Sequence, residues 1–189
     1  LLGDRAVPAD AYYGIHTLRA LENFPITGIA ISVYPDLVSA LACVKQAAAI
    51  ANCELGMLDD KRSLAIRLAC EEVREGKLYS EFVVDVIQGG AGTSSNMNAN
   101  EVICNRALEL LGHRKGEYRE LHPLDHVNLS QSTNDVYPTA IKLALQFGIR
   151  HLLRDMTELR RAFEAKAREF DDVLKVGRTQ LQDAVPMTL

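Results

Sequence analysis

The stretch PTAIKLALQFGIRHLLRDMTELRRAFEAKAREF, residues 138–170, decides the fold. Its apolar residues Leu145, Ile149, Leu152, Met156, Leu159 and Phe163 recur by alternating steps of four and three, the seam of a helix that packs against other helices. A helix of more than about 25 residues with such a seam belongs to a bundle rather than standing free. The spacing predicts one long helix from Pro138 to about Phe170, with partner helices along the seam. Another helix is expected to start after Gly177 and Pro186, and the sequence stops at Leu189, so the bundle reads as cut on its C-terminal side. Leu1, where an initiator methionine would stand, gives the same reading at the other end.

Upstream of the seam the pattern is helical and well punctuated. Pro35-Asp36 opens a helix carrying Leu37, Leu41, Val44, Ala48, Ala51 and Leu55, closed by Gly56. A second starts near Asp59 or Asp60, carries Leu64, Leu68 and Val73, and stops at Gly76. A third carries Val102, Ile103, Ala107, Leu110 and Leu111 and stops at Gly112, with His113, Arg114 and Lys115 beside the negative end of its dipole. The first 30 or so residues, about as long as a pair of loops and rich in Gly, Pro and aromatics, read as loops with short extended pieces. The β-branched run Phe82–Ile87 reads as extended. The fold class is therefore mainly α: an N-terminal helical domain with short extended segments over residues 1–134, then the first part of a long central helical bundle over residues 135–189.

Composition narrows the function. A chain of 189 residues with 48% hydrophobic content can bury a core of one or two domains. A formal charge of −4 without a lysine and arginine stripe gives nothing for nucleic acid or a membrane surface to bind, and no apolar stretch spans a bilayer. Cys43, Cys53, Cys70 and Cys104 stand apart, without CxxC spacing or a histidine cluster, and read as buried free thiols in a reducing cytoplasm rather than as zinc ligands. His16, His113, His126 and His151 each stand alone and read as capping or surface residues.

Three polar runs carry the chemistry. Gly89-Gly90-Ala91-Gly92-Thr93-Ser94-Ser95-Asn96-Met97-Asn98 packs glycines, hydroxyls and amides just ahead of a helical pattern. Ser130-Gln131-Ser132-Thr133-Asn134-Asp135 precedes Pro138, and Gly177-Arg178-Thr179-Gln180-Leu181-Gln182-Asp183-Ala184-Val185-Pro186 ends on a proline that could open a helix. Any one of them is explained by helix capping and turn formation. Together they hold more hydroxyls and amides than caps use, and the glycine run has neither the lysine of a GxxxxGK[ST] phosphate loop nor GxGxxG spacing. The pattern predicts a neutral cradle for a small anion such as a carboxylate.

In their order along the chain these runs resemble the substrate-binding segments of the aspartase/fumarase superfamily. The resemblance extends to Gly3-Asp4-Arg5, to Val7-Pro8-Ala9-Asp10-Ala11-Tyr12-Tyr13-Gly14-Ile15-His16-Thr17-Leu18-Arg19-Ala20 and to Glu22-Asn23-Phe24. Fumarases usually show Trp-Gly-x-Gln-Thr early and histidine after the third-run threonine, so Tyr13-Gly14-Ile15-His16-Thr17 and Gln180 favour the aspartase branch. The resemblance implies reversible elimination of ammonia from L-aspartate to give fumarate, through an enediolate intermediate. Hydration of fumarate on the same scaffold and a non-catalytic helical assembly piece stand as alternatives.

Carried onto matching positions, the resemblance implies that Ser132 and Thr133 bind the carboxylate that becomes the enediolate, with Thr93 beside them. Asn134 and Thr179 lie near the amino group, and Gln180 stands where many members have histidine. The family's base is a serine on a mobile glycine-rich loop, in a segment of the form GSSxMPxKxNP that also supplies a carboxylate-binding lysine. This sequence has no such segment, so no catalytic residue is assigned in it and the 189 residues alone are expected to be inactive. His122-Pro123-Leu124-Asp125 resembles a segment that forms a secondary anion site in fumarases, but Leu124 replaces the polar residue, which makes it a structural turn. No metal ligand is assigned and no cofactor is required; activation by a divalent ion is left open. The partners implied are aspartate, fumarate and three further copies of the chain in a homotetramer, whose active sites each draw on three subunits.

Overall fold

A computed structural model describes residues 5–88 and 90–189; Gly3 and Asp4 of the opening motif and Gly89 of the glycine run lie outside the described residues. The chain is mainly helical, in the order α1 (Ile15–Asn23), α2 (Pro35–Glu54), α3 (Asp60–Arg74), α4 (Thr93–Leu110), α5 (Thr133–Glu169), β1 (Leu174–Thr179) and β2 (Gln182–Thr188). Short helical turns lie at Ile31–Val33, Tyr79–Glu81 and Pro123–Val127. Two compact units emerge, one reaching to Gln146 and the other Phe147–Leu189.

The helix stops fall where the glycines stand. After α2, Gly56 N–H donates to Cys53 O at 2.9 Å and Met57 N–H to Asn52 O at 2.8 Å, with Gly56 left-handed at φ 70°. This pair of bonds closes the last carbonyls of the helix, and the same pair recurs at Gly76 and Gly112. At the start of α3, Asp59 accepts the N–H of Arg62 at 3.0 Å.

In the first unit α4 is the central element, packed by α1, α2, α3 and the Pro123–Val127 turn. It is buried from Ser94 to Asn105 on every side. Val102, Ile103, Cys104, Ala107 and Leu108 supply the apolar contacts, joined by Val38 and Leu41 from α2 and Ile66 and Val73 from α3. Apart from Met97, Ala99 and Leu110 the rest of α4 is polar, and its buried groups reach outward to loops and helix starts. Glu101, 1% exposed, accepts the backbone N–H groups of Gly14 (2.8 Å), His16 (2.8 Å) and Thr17 (3.0 Å). A carboxylate thus caps the first turn of α1 from another helix, at the positive end of its dipole. Asn105 donates to Tyr12 O at 2.7 Å and accepts from Gly116 N at 2.9 Å. Asn98 donates to Glu81 O at 2.9 Å. Arg106 ties α4 to Glu72 of α3 and to Glu109, which in turn accepts the Tyr12 hydroxyl proton.

Four sequence expectations change in the first unit. Residues 15–23, expected in a loop, form α1; Gly14 gives no side-chain cap, so the cap that starts this helix stands at Glu101. Phe82–Ile87 is not a strand: it makes one isolated bridge, Ala30 to Asp85, because the Asp85 carboxylate gathers the N–H groups of Thr27, Gly28 and Ile87 and folds the segment into turns. Those bonds hold the Asp85 carboxyl down at about 2 despite the opposing effect of burial. The long helix begins at Thr133 rather than Pro138, because Ser132 Oγ accepts the Asn134 N–H at 3.2 Å and caps it early. Pro138 then falls in the second turn. Of the four thiols, Cys70 and Cys104 are buried while Cys43 and Cys53 are half-buried, and all are free.

In the second unit the expected helix after Gly177 is a β-hairpin. Strands β1 and β2 pair antiparallel from Leu174 with Thr188 to Thr179 with Gln182, irregular between Val176 and Arg178. Val176, Thr179, Val185 and Thr188 favour extended backbone, and a two-stranded ladder is all edge, so Pro186 fits in it without a lost bond inside a sheet. The seam residues of α5 in this unit are exposed, from Ile149 at 52% to Phe163 at 69%.

Glu101→Ala removes the acceptor of three part-buried or buried donors and is expected to destabilise the protein by on the order of 3 kcal/mol in urea unfolding. Glu101→Gln, which keeps one carbonyl oxygen, should lose clearly less; equal losses would mean that the carboxylate does not cap α1.

Candidate active site

The first two polar runs meet at the starts of α4 and α5. Gly92 precedes Thr93, the first residue of α4, in left-handed backbone at φ 86°. The Tyr137 ring of α5 lies so close that a Cβ on Gly92 would stand 2.1 Å from Tyr137 Cγ. Only glycine satisfies that φ and that approach together. Gln88 Nε2 donates to Ser95 Oγ at 2.6 Å and Gln88 Oε1 accepts the Ser95 N–H at 3.1 Å, so the glycine loop is fastened to the first turn of α4. A cavity of about 580 Å³ opens between this loop, at Gly90, Ala91 and Gly92, and the α5 residues Asn134 and Tyr137.

The second run is braced from behind. Thr133 Oγ1 accepts from Asn96 Nδ2 at 3.0 Å, and Asn96 lies one turn after Thr93 on α4. Ser132 Oγ accepts the Asn134 N–H as the α5 cap, which leaves its proton to donate. Thr93, Ser132 and Asn134 are exposed and Thr133 is half-buried. Two helix dipoles with neutral hydroxyls and amides at their positive ends suit a small anion without any group that must titrate.

Beneath the second run lies Lys45 of α2, 0% exposed. Its Nζ donates to Asn128 Oδ1 at 2.8 Å and to Gln131 Oε1 at 3.0 Å. Burial with neutral amide oxygens as these partners pushes its pKa down to about 7, Cys70 opposing the shift. The sequence reading missed this residue. Its signal is positional: Val38, Leu41, Ala42, Lys45, Ala49 and Asn52 form one buried stripe at helical spacing, so Lys45 and Asn52 are polar groups on an apolar face.

Thr179 and Gln180 belong to the second unit, at the end of β1 and in the two-residue turn before Gln182, where Gln180 takes φ 53°. Both are exposed. His122 caps the Pro123–Val127 turn through Nδ1, which accepts the N–H groups of Leu124 and Asp125, each at 3.2 Å. His126 Nδ1 accepts from His122 N at 2.8 Å, and burial lowers its pKa. Among the described residues no group of three or more His, Cys, Asp or Glu side chains is placed to hold a metal, and no helix is long and apolar enough to cross a membrane.

A family model described as lyase matches residues 3–189. Aspartate ammonia-lyase of Pseudomonas fluorescens is 62% identical over 189 residues, and that of Escherichia coli K12 is 57% identical over 190, in each case across 100% of this chain and 40% of the relative. The chain thus spans about 40% of the length of these curated relatives. Among solved structures, a fumarate lyase:delta crystallin from Brucella melitensis superposes with a TM-score of 0.97 at 58% identity, covering 100% of this chain and 42% of the other. A class II fumarase from Schistosoma mansoni superposes with a TM-score of 0.93 at 40% identity, covering 100% and 40%.

Gly92→Ala is expected to cost about 2 kcal/mol or more in thermal unfolding, from the left-handed backbone and from displacement of Tyr137. Adding Tyr137→Ala should relieve only the second part. Lys45 also sets a pH dependence. Its native pKa is about 7 against the ordinary lysine value of 10.5, so between those limits the unfolded chain holds a proton that the native one has released. Stability gains from this group as pH rises through that window and loses the gain as pH falls back through about 7. The difference in unfolding free energy between the parent and Lys45→Met, followed from pH 6 to about 10 in urea, should carry that slope; a flat difference would place the Lys45 titration outside it.

Proposed function

Because the chain belongs to the lyase family, within the fumarase/aspartase superfamily, we propose that it carries substrate-binding segments of an enzyme that reversibly deaminates L-aspartate to fumarate and ammonia. The observation that carries the reading is that the first two polar runs line one cavity at two helix starts, through Gly90, Ala91 and Gly92 on one side and Asn134 on the other. A hydrogen beside a carboxylate is a weak acid, and its removal drives an extra negative charge onto that carboxylate. Fixed donors stabilise such a charge, typically by about 3–4 kcal/mol each when judged by removal.

In this reading Ser132, Thr133 and Thr93 hold the carboxylate that becomes the enediolate. Asn134 and Thr179 hold the amino group, with Gln180 beside them in place of a histidine. The proton is taken by a serine in the GSSxMPxKxNP segment of the family, which these 189 residues do not include. The reaction draws on no organic cofactor. Residues 1–134 act as the N-terminal lyase domain and 135–189 as the start of the bundle domain. The exposed row Leu145, Ile149, Leu152, Met156, Leu159 and Phe163 supports assembly through α5, as a homotetramer whose active sites each draw on three subunits. The free thiols support work in a reducing cytoplasm. Gln180 and the Tyr13–Thr17 stretch favour the aspartase branch over the hydratase one.

The test is fumarate release by the full-length gene product, with L-aspartate and L-malate supplied side by side. Aspartate alone should give product, and the 189 residues by themselves should give none that is sustained. Product from malate alone would replace the reading with a hydratase. Thr133→Val, which removes one donor at nearly constant volume, should lower kcat about a hundredfold; parental kcat and KM would remove Thr133 from its role.

A further inference from the structure

The anion site described above leaves one buried group unused. Lys45 lies on the apolar stripe of α2, where a methionine of similar length would fill the same space without desolvating an amine. What the amine adds is direction. Its Nζ donates to two amide oxygens, and with Asn128 Nδ2 committed to Gln131 O, Asn128 turns its Oδ1 toward Lys45. That oxygen also accepts from Asn96 Nδ2 and Asn100 Nδ2, each at 3.2 Å, so Asn96 must turn its nitrogen toward Asn128. The same Asn96 nitrogen donates to Thr133 Oγ1, and a hydroxyl that accepts there keeps its own proton for another partner. Were Asn128 to flip, its amide nitrogen would face the Asn96 nitrogen; Asn96 would then flip too and take the Thr133 proton itself.

The backbone is anchored from the same helix. Asn52 of α2 donates to Leu129 O at 2.9 Å, Asn128 Nδ2 to Gln131 O at 3.0 Å, and Lys45 to Gln131 Oε1. Between them Ser130 is held at φ 60°, a conformation that residues with a side chain rarely adopt. The turn leads directly into Ser132 and Thr133.

We propose that Lys45 is a positioning residue: through Asn128 and Asn96 it sets the hydrogen-bond direction that leaves the Thr133 proton for the substrate carboxylate. This rests on the ammonia-lyase reading of the site. Because the charge on that carboxylate grows in the transition state, the effect falls on turnover more than on substrate binding.

The experiment is a double-mutant cycle in the full-length gene product, comparing the parent, Lys45→Met, Thr133→Val and the double variant with L-aspartate, with light scattering to check assembly. Lys45→Met should lower kcat about tenfold or more with a smaller change in KM, and in the Thr133→Val background it should lower kcat less than about twofold. Equal losses in both backgrounds would overturn the proposal, since a structural role does not act through Thr133. If Lys45→Met fails to assemble, the same cycle with Asn128→Ser breaks the path one residue on and is judged by the same two outcomes. A parent protein that leaves L-aspartate unchanged would overturn the ammonia-lyase reading instead, and the cycle is then read in calorimetric binding of succinate. Coupled losses there uphold the positioning role; additive losses or no binding overturn it.

Discussion

A helix buried on all sides must pair most of its polar groups, and α4 carries many, of which Asn96 Oδ1 and Asn100 Oδ1 find no hydrogen-bond partner. Glu101, Asn98, Asn105, Ser95 and Asn96 are each less than 4% exposed, and each is bonded to a loop or to the first turn of another helix. A buried polar atom without a partner costs as much as the hydrogen bonds of a whole turn contribute, so these bonds are conditions of folding rather than additions to it. The loops of the first unit are therefore ordered by α4. Glu101 holds the start of α1, Asn105 the Tyr12 and Gly116 segments, Asn98 the chain after Tyr79–Glu81, and Ser95 the glycine loop.

The candidate site is a product of the same constraint. Its cavity lies between the irregular backbone of the glycine loop and the first turns of α5; Gln88 clamps the loop to α4 and Asn96 holds Thr133 on the other side. The groups facing the cavity are neutral, and the charge of the site is the dipole of two helices. Lys45, buried behind the second run, donates to the amide oxygens of Asn128 and Gln131. In the proposed reaction the growing charge needs fixed donors more than strong acids, and the proposed role of Lys45 separates the aiming of the donors from the donors themselves.

How much could be read beforehand follows from where each signal lies. Helices α2, α3 and α4 announce their ends locally, through Pro35, Asp59 and the glycines at 56, 76 and 112, and their apolar spacing is their own. Helix α1 gives no such notice because its cap is 87 residues away. Asp85 looked like one residue of a β-branched run, and its effect depends on Thr27 and Gly28 being folded against it. Lys45 sat in plain view on an apolar stripe, but its partners come from residues 128 and 131.

The sequence by itself determined the helical class, the family and the identity of the polar runs, since periodicity, capping residues and ordered motifs are properties of neighbours along the chain. Tertiary structure alone decided where α1 begins, that residues 174–188 form a hairpin, and that Thr133 meets Asn96 at the mouth of the glycine loop. The physical reason is the same in each case. A buried carboxylate, amide or ammonium takes its partner from whatever backbone the packed core brings within about 3 Å, and that choice is made between residues distant in sequence.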